Sequence, residues 1–432
     1  MAAKKSKNDQ AWEILFEEEN ILKKIEQEDF FYISSTRINE QREARLMTKF
    51  DHAVQLPKIF LDHGLSIQPV SRRKYVIGAF NSYFQLPKKD LGNVVYCELP
   101  NYIKTLDPSN IYSESSAILC AFLSGMIDDV LEEETSLTVF GRMSTGTFDY
   151  DIQDTKNKTK QTINVNKSQC EIDGGFEGAT KLGIIEAKSE TVNDFIIRQL
   201  YYPYRLWKSK TNKEVIPVFL TISNDIFSFY KFRFSDINLY NSIELVSEHK
   251  YCLSKYEIEL QDIRDILNET TIVPDSEEIP FPQANMFPRI IDLLGRLYSA
   301  NVPLNKDNIT LIYAFDIRQT DYYISAANYL RLVDREQNKT QDVNYSLSNL
   351  GLQIITQHPR RRNLELVKCI LSHRIFNSSL RIYFEKAQPP TKEEIVSIMR
   401  DGSEEISSSA NSTCERRAST VRGWIEWILK LT

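Results

Sequence analysis

Two acids and a lysine stand close together in the middle of this chain. Asp173 lies in Glu171-Ile-Asp173-Gly-Gly-Phe-Glu177, and Glu186 and Lys188 lie in Leu182-Gly-Ile-Ile-Glu186-Ala-Lys188. Two carboxylates suit Mg²⁺, which prefers hard oxygen ligands and keeps several waters. The carbonyl of Ala187 is a candidate third ligand. A lysine beside them can orient an attacking water and offset charge on a pentavalent phosphate. Metal, positioned water and cation are the parts that metal-assisted phosphodiester hydrolysis needs. Glu-x-Lys alone is common and also marks solvated hairpins with a surface ion pair. The upstream Asp and the apolar stretch between favour chemistry here.

The elements that must position these groups can be read locally. Ile184-Ile185 is short, β-branched and apolar, which predicts a buried strand. Side chains alternate along a strand, so Glu186 and Lys188 share one face and Ala187 points into the core. Cys170 to Gly174 reads as a preceding strand, with Gly174-Gly175 and Gly178 at the turn, so the hairpin brings Asp173 beside Glu186. Thr191 to Lys208 carries Phe195, Ile196, Leu200 and Tyr204 on one stripe and predicts a helix, kinked at Pro203. Val215 to Thr221 and Ile226 to Phe234 are further strands. The order strand, strand, helix, strand, strand is an α/β core with its site at strand ends.

Asp173 and Glu186-Ala-Lys188 resemble the motif of the PD-(D/E)xK nuclease superfamily, and within it Type II restriction endonucleases. The resemblance covers about residues 110 to 235. It implies that Asp173 and Glu186 bind the metal and that Lys188 is the catalytic lysine. It also implies an acid on a helix before the core, for which Glu114 is the candidate; a helix-start residue beside a Ser cap is the alternative. Gln199 resembles the glutamine that often follows the lysine. Ile172, not Pro, precedes Asp173, a position that varies widely in the superfamily.

The 432 residues suit two or three domains, and 42% apolar content suffices for real cores. No run is long enough to span a membrane, and the Met1-Ala-Ala-Lys-Lys-Ser-Lys start has no apolar segment behind it. The six cysteines are scattered, which predicts reduced thiols in a cytoplasmic protein and neither a disulfide framework nor a zinc site. The net charge is −6, unusual for a DNA binder, but distribution matters more than the sum. Residues 281–432 hold 20 Lys and Arg against 16 Asp and Glu, a net of +4, leaving −10 for the rest.

The expected architecture is α/β: a PD-(D/E)xK mixed-sheet nuclease core (residues 105–271), an N-terminal α+β region (1–104) and a C-terminal, mostly helical winged-helix region. The last divides into a winged helix-turn-helix (283–362) and a helical block (363–432) that could form a second such unit. In the first region, a helix over Gln10 to Glu28 is followed by two basic segments. Arg42, Arg45 and Lys49, and then Arg72 and Arg73, could meet DNA or simply coat the surface. Arg142, Ser144 and Thr145 could touch phosphate from a loop or belong to an ordinary turn.

After an acidic, proline-containing linker (272–282), Ile309 to Phe315 and Gln319 to Val333 read as helix, turn, helix, and Asn344 to Gly351 as strand and wing. The second helix would offer Gln319, Thr320, Tyr322, Ser325 and Asn328 to base edges. Arg360 and Arg361 suit phosphates. A protein-pairing scaffold is the other use of such a unit. Ser403 to Ser412 reads as a loop, and Thr413 to Leu431 as a helix whose Trp424 and Trp427 belong to a core.

These expectations add up to a Mg²⁺-dependent, sequence-specific endonuclease acting on double-stranded DNA. A homodimer with one site per strand suits a palindrome, and a cognate DNA methyltransferase is the implied functional partner. A repair or junction-resolving nuclease, and a non-catalytic DNA-binding regulator on a nuclease-like scaffold, are the alternatives. No P-loop or motor motif is present.

Overall fold

The computed structural model describes residues 5–87, 93–155, 158–274, 279–312, 317–337, 343–402 and 411–432. The chain is mixed α/β, built around a seven-stranded mixed sheet. From one edge to the other its strands are Val94–Tyr96, Ile243–Cys252, Ile226–Phe234, Glu214–Ser223, Lys181–Lys188, Gln169–Glu177 and Ser136–Ser144. The Lys181–Lys188 and Glu214–Ser223 strands are parallel and are joined through the Arg198–Lys208 helix. Parallel neighbours need such a crossover, and both their faces are then covered. Accordingly these two strands are apolar on both sides.

On one face Ile185, Ala187, Ile216, Val218 and Leu220 pack under the Glu114–Leu123 and Met126–Leu131 helices. On the other, Leu182, Ile184, Val215 and Phe219 meet Leu200, Tyr201 and Tyr202 of the crossover helix and Tyr150, Ile163 and Val165 of the Thr147–Gln153/Lys160–Asn166 hairpin. The Glu214–Ser223 and Ile226–Phe234 strands turn at Asn224-Asp225, both with positive φ (50° and 65°), a conformation that Asn and Asp tolerate.

The N-terminal region has its own core, in which Trp12, Phe16, Phe60 and Ile77 pack behind a three-stranded sheet of Phe30–Ser34, Lys74–Gly78 and Ser66–Ser71. The single helix expected over Gln10 to Glu28 is two helices, Lys7–Glu18 and Ile21–Glu28, because Asn20 adopts a left-handed conformation between them. The expected helix from Thr191 starts only at Arg198. Asp194–Ile196 is instead a short strand paired with Tyr83–Gln85, so backbone pairing to the N-terminal side overrides the helical apolar spacing. Gly174-Gly175 is not a turn: the Gln169–Glu177 strand runs through both. A Cβ at Gly174 would lie 2.7 Å from Phe176, and one at Gly175 2.7 Å from the Cβ of Val139, so these glycines allow close strand and side-chain approach.

In the C-terminal region the order is helix Pro288–Ala300, strand Leu304–Asn305, helices Lys306–Ile312 and Ile317–Tyr329, then strands Val333–Gln337 and Val343–Leu347, which form one three-stranded sheet with Leu304–Asn305. The helix expected over Ile309 to Phe315 starts at Lys306, and residues 313–316 lie outside the described residues. The helix expected to reach Val333 ends at Tyr329. Arg331 has φ 59°, and Val333 starts a strand. Within Asn344 to Gly351, the strand stops at Leu347 and a helix, Asn349–Ile355, begins under a Ser348 cap. Parts of the expected linker (275–278) and of the expected loop (403–410) also lie outside the described residues.

One hydrophobic core runs from Ile258 to Ile428, and Trp424 and Trp427 sit in it. All six cysteines are free thiols. Among the described residues no helix is long and apolar enough to cross a membrane.

Candidate active site

The strand pair that carries the acids parts where they stand. The Gln169–Glu177 and Lys181–Lys188 ladder runs from Leu182 opposite Glu177 to Ile185 opposite Gly174. The next step would set Glu186 against Asp173, but the pairing stops there. Instead the Asp173 carboxylate accepts a hydrogen bond from the backbone N–H of Ala187 at 2.8 Å. Asp173 is also flanked by an irregularity on its other side. Between Val139 opposite Gly175 and Gly141 opposite Ile172, one strand advances two residues and the other three. A bulge of this kind re-aims side chains, and bulges are over-represented beside active sites.

Glu186 and Lys188 project to the same side, and Lys188 Nζ donates to Glu186 Oε1 at 2.5 Å. Gln199 Nε2, from the crossover helix, donates to the same oxygen at 2.5 Å. Ala187, between them, is buried under the Glu114–Leu123 helix. Glu114 opens that helix after the Ser113 cap, and Arg296 of the C-terminal region lies 3.4 Å from its carboxylate.

Burial sets the electrostatics. It pushes the Glu186 carboxyl up to about 8, a rise the Lys188 ammonium only partly offsets. Burial also raises Asp173, against the pull of Lys188 and the Ala187 amide. For Lys188, burial favours the neutral amine, but the carboxylates of Glu186, Glu114, Asp51 and Asp173 outweigh it and hold the ammonium charged. Glu190 is pushed up to about 7 by burial, with Arg296 and His52 opposing.

A cavity of about 400 Å³ opens onto Lys188. Its lining includes Glu114, Lys188 and Glu190, with Arg45, Lys49, Asp51 and His52 from the N-terminal region and Arg296 from the C-terminal region. The N-terminal lining is fastened down: Ile196 N–H donates to the Asp51 carbonyl at 2.9 Å, and His52 Nδ1 lies 2.6 Å from the Asp194 carbonyl. The C-terminal region reaches the active strand as well. Asp292 accepts from Thr191 N–H at 2.9 Å and from the Ser223 hydroxyl at 2.9 Å.

Asp173, Glu186, Ala187, Lys188 and Gln199 therefore form one direct contact network, and Lys188 shares the cavity with Glu114, Arg45 and Lys49. The other candidates lie elsewhere. Arg42 donates to Asn8 at 2.8 Å, and Arg360 makes a two-pronged contact with Asp262 at 2.8 and 2.9 Å. Arg72 and Arg73 are exposed at a hairpin tip, and Arg361 is exposed on its helix. Arg142 is exposed on the edge strand and meets Glu171 at 3.2 Å; Ser144 ends that strand. Thr145 is buried and its hydroxyl donates to the Gly146 carbonyl.

On the Ile317–Tyr329 helix, Tyr322 is exposed, while Gln319, Ser325 and Asn328 are half-buried. Thr320 is fully buried against Thr310 (2.9 Å), turned away from any groove. Asp51, His52, Glu190 and Arg296 were missed. Glu190 had a signal, since strand alternation beyond Lys188 points to it. The N-terminal wall had none, because its contacts span more than a hundred residues of chain: 142 separate His52 from Asp194.

A divalent cation fits this donor set. Lys188 faces the carboxylates of Glu186, Glu114, Asp51 and Asp173, of which Glu114 also has Arg296 at 3.4 Å and Asp51 has Lys49 at 3.6 Å. Gln199 Oε1 and Glu190 Oε2 are buried acceptors without a partner, suited to the hydrogens of metal-bound water. Among the described residues no three Asp, Glu, His or Cys side chains form a ready cage, which Mg²⁺, content with one or two carboxylates and several waters, does not require.

Three families match successive stretches of the chain. Each is described as a domain of unknown function: DUF6996 over residues 9–77, DUF6997 over residues 78–252 and DUF7226 over residues 289–432. The middle one contains Glu114, Asp173, Glu186, Lys188 and Gln199. No curated protein and no solved structure matches.

Proposed function

We propose that the chain is a Mg²⁺-dependent endodeoxyribonuclease of the Type II restriction class, with a PD-(D/E)xK core and a winged-helix C-terminal unit. One observation carries it: Asp173, Glu186 and Lys188 converge where two adjoining strands part. The parallel strand pair with its helical crossover, and the helix-strand-helix-helix-strand-strand order after Pro288, support the two fold assignments.

Asp173, Glu186 and the Ala187 carbonyl would hold the cation. Bound there, it would supply a Lewis acid for the phosphate and for the departing oxygen. The residues do the rest. Gln199 fixes the Glu186 carboxylate. Lys188, kept charged by its acidic surroundings, orients a water for in-line attack and offsets phosphate charge. Arg45 and Lys49, which line the same cavity, meet the flanking phosphates. The cavity has the volume of a small-ligand site. It therefore takes the scissile phosphate and its sugars, while the rest of the duplex lies across its mouth. Two copies, each cutting one strand, and a partner methyltransferase complete the proposal.

The test is plasmid and long linear DNA incubated with Mg²⁺. Wild type gives discrete fragments. Asp173→Asn and Lys188→Ala lose at least about a hundredfold in rate, the scale of losing one electrostatic catalytic group. Equal cleavage by wild type and both variants removes the site assignment. Cutting confined to branched DNA replaces restriction with junction resolution. Sequence-specific binding without any cleavage favours a regulator.

A further inference from the structure

One helix of the C-terminal region carries a cation into the cavity. On Pro288–Ala300, Asp292 and Arg296 stand four residues apart and share a face. Asp292 is 6% exposed and accepts from Thr191 N–H and from the Ser223 hydroxyl, both at 2.9 Å. Gly295 lies so close to Tyr112 that a Cβ there would stand 2.5 Å from its ring. Tyr112 is held in turn. Its hydroxyl donates to the Ile355 carbonyl at 2.7 Å, and its own carbonyl accepts from the Ser299 hydroxyl at 3.1 Å. The helix is thus pinned at Asp292 and at Gly295, and the Arg296 side chain leaves it from a fixed point.

Arg296 differs from the other charged tie of this region. Arg362 is 1% exposed and paired with Asp225, sealed in the contact between the regions. Arg296 instead lines the cavity that holds Lys188, Arg45 and Lys49, with its side chain 16% exposed. Its contact with Glu114 is one-pronged at 3.4 Å, whereas a charge-assisted hydrogen bond stands at about 2.7–2.9 Å. A carboxylate held that loosely is a weak competitor for a phosphate, whose oxygens a guanidinium fork matches in pairs. Burial pushes the Glu190 carboxyl up and Arg296 is the strongest force against it, so the field of the guanidinium reaches a second acid of the cavity.

We propose that Arg296 is a further catalytic residue, supplied to the site by the C-terminal region, and that its guanidinium holds a non-bridging oxygen of the scissile phosphate; this rests on the phosphodiester hydrolysis proposed above. The phosphate then meets two cations of different origin, Lys188 from the sheet and Arg296 from the Pro288–Ala300 helix. A fixed guanidinium offsets the charge on the phosphate oxygens in the transition state without any bond being made or broken at the arginine. A C-terminal region displaced from the sheet would withdraw it, so the cutting site is complete only when that region is docked.

The experiment uses duplexes built on a site mapped from the wild-type digest. The scissile phosphate is either natural or carries sulfur in place of one or the other non-bridging oxygen. Sulfur is a weaker hydrogen-bond acceptor than oxygen. Arg296→Ala should lose about 10²-fold or more in kcat on the natural duplex. Wild type should be slowed by sulfur at the position the guanidinium holds. The variant should show no further slowing on that isomer, and the other isomer should slow both proteins alike. If Arg296→Ala fails to fold, Arg296→Lys, which keeps a cation beside Glu114 and lacks the fork, is measured in the same way.

Full activity of the variant overturns the proposal. So does a variant that each isomer slows as much as it slows wild type, which marks a structural role. In both cases nuclease function stands. Wild type that cleaves no duplex and no plasmid removes nuclease function and the arginine's role together.

Discussion

At the scale of single residues, Glu186 is the costly one. Its folded carboxyl stands at about 8 against an ordinary 4.5. Between those values the folded protein holds a proton that the unfolded chain has lost, so stability falls as pH rises through that window. Glu186→Gln removes this dependence. Wild type should melt at a higher temperature at pH 5 than at pH 8, and the variant should show a flatter profile. On the proposed metal site, Mg²⁺ should raise the wild-type melting temperature at pH 8 and that of the variant less, because the variant's amide would bring no charge to the ion. Parallel melting profiles for the two proteins would refute the assignment of this cost to Glu186. The residue identities were legible in the sequence, since an Asp and a Glu-x-Lys around an apolar strand suffice to single them out. Their protonation was not, because it comes from burial by elements distant in the chain.

At the scale of elements, alternation made the central strands legible, and Ile226–Phe234 has its expected bounds. The failures have physical causes. Gly174-Gly175 looked like a turn but serves close approach, and Asp194–Ile196 became a strand because Tyr83–Gln85 offers it a partner. This bears on substitution. An alanine Cβ at Gly175 would meet the Val139 Cβ at 2.7 Å and its carbonyl oxygen at 3.2 Å, both on a strand that cannot give. At Gly183 it would meet the end of the Leu131 side chain at 2.6 Å, which can rotate. Gly175→Ala should therefore cost about 1–3 kcal/mol, and Gly183→Ala less, by urea denaturation. The reverse order would show that the bulged strand pair is slack, and so unable to fix Asp173.

Across the whole molecule, the ties between regions were the least legible, because they join residues far apart in sequence. Arg362 directly follows Arg360 and Arg361, the pair expected to suit phosphates. It is 1% exposed, ion-paired with Asp225 at the sheet turn and 3.1 Å from the Tyr112 hydroxyl. Removing one member of a buried pair costs about 3–5 kcal/mol, because the other charge is stranded. Arg362→Leu should show that loss, and Arg362→Leu with Asp225→Asn a smaller one; additive losses would mean the two do not couple. Asn suits the left-handed backbone at that turn.

The Asp292 and Arg296 contacts have a practical corollary. The C-terminal region supplies the acceptor for Thr191 N–H and the cation beside Glu114. On the proposed nuclease reading, a chimera that replaced the chain after residue 271 would strip both from the residues that hold the candidate site. A foreign C-terminal unit would thus need to carry its own equivalents of these two side chains.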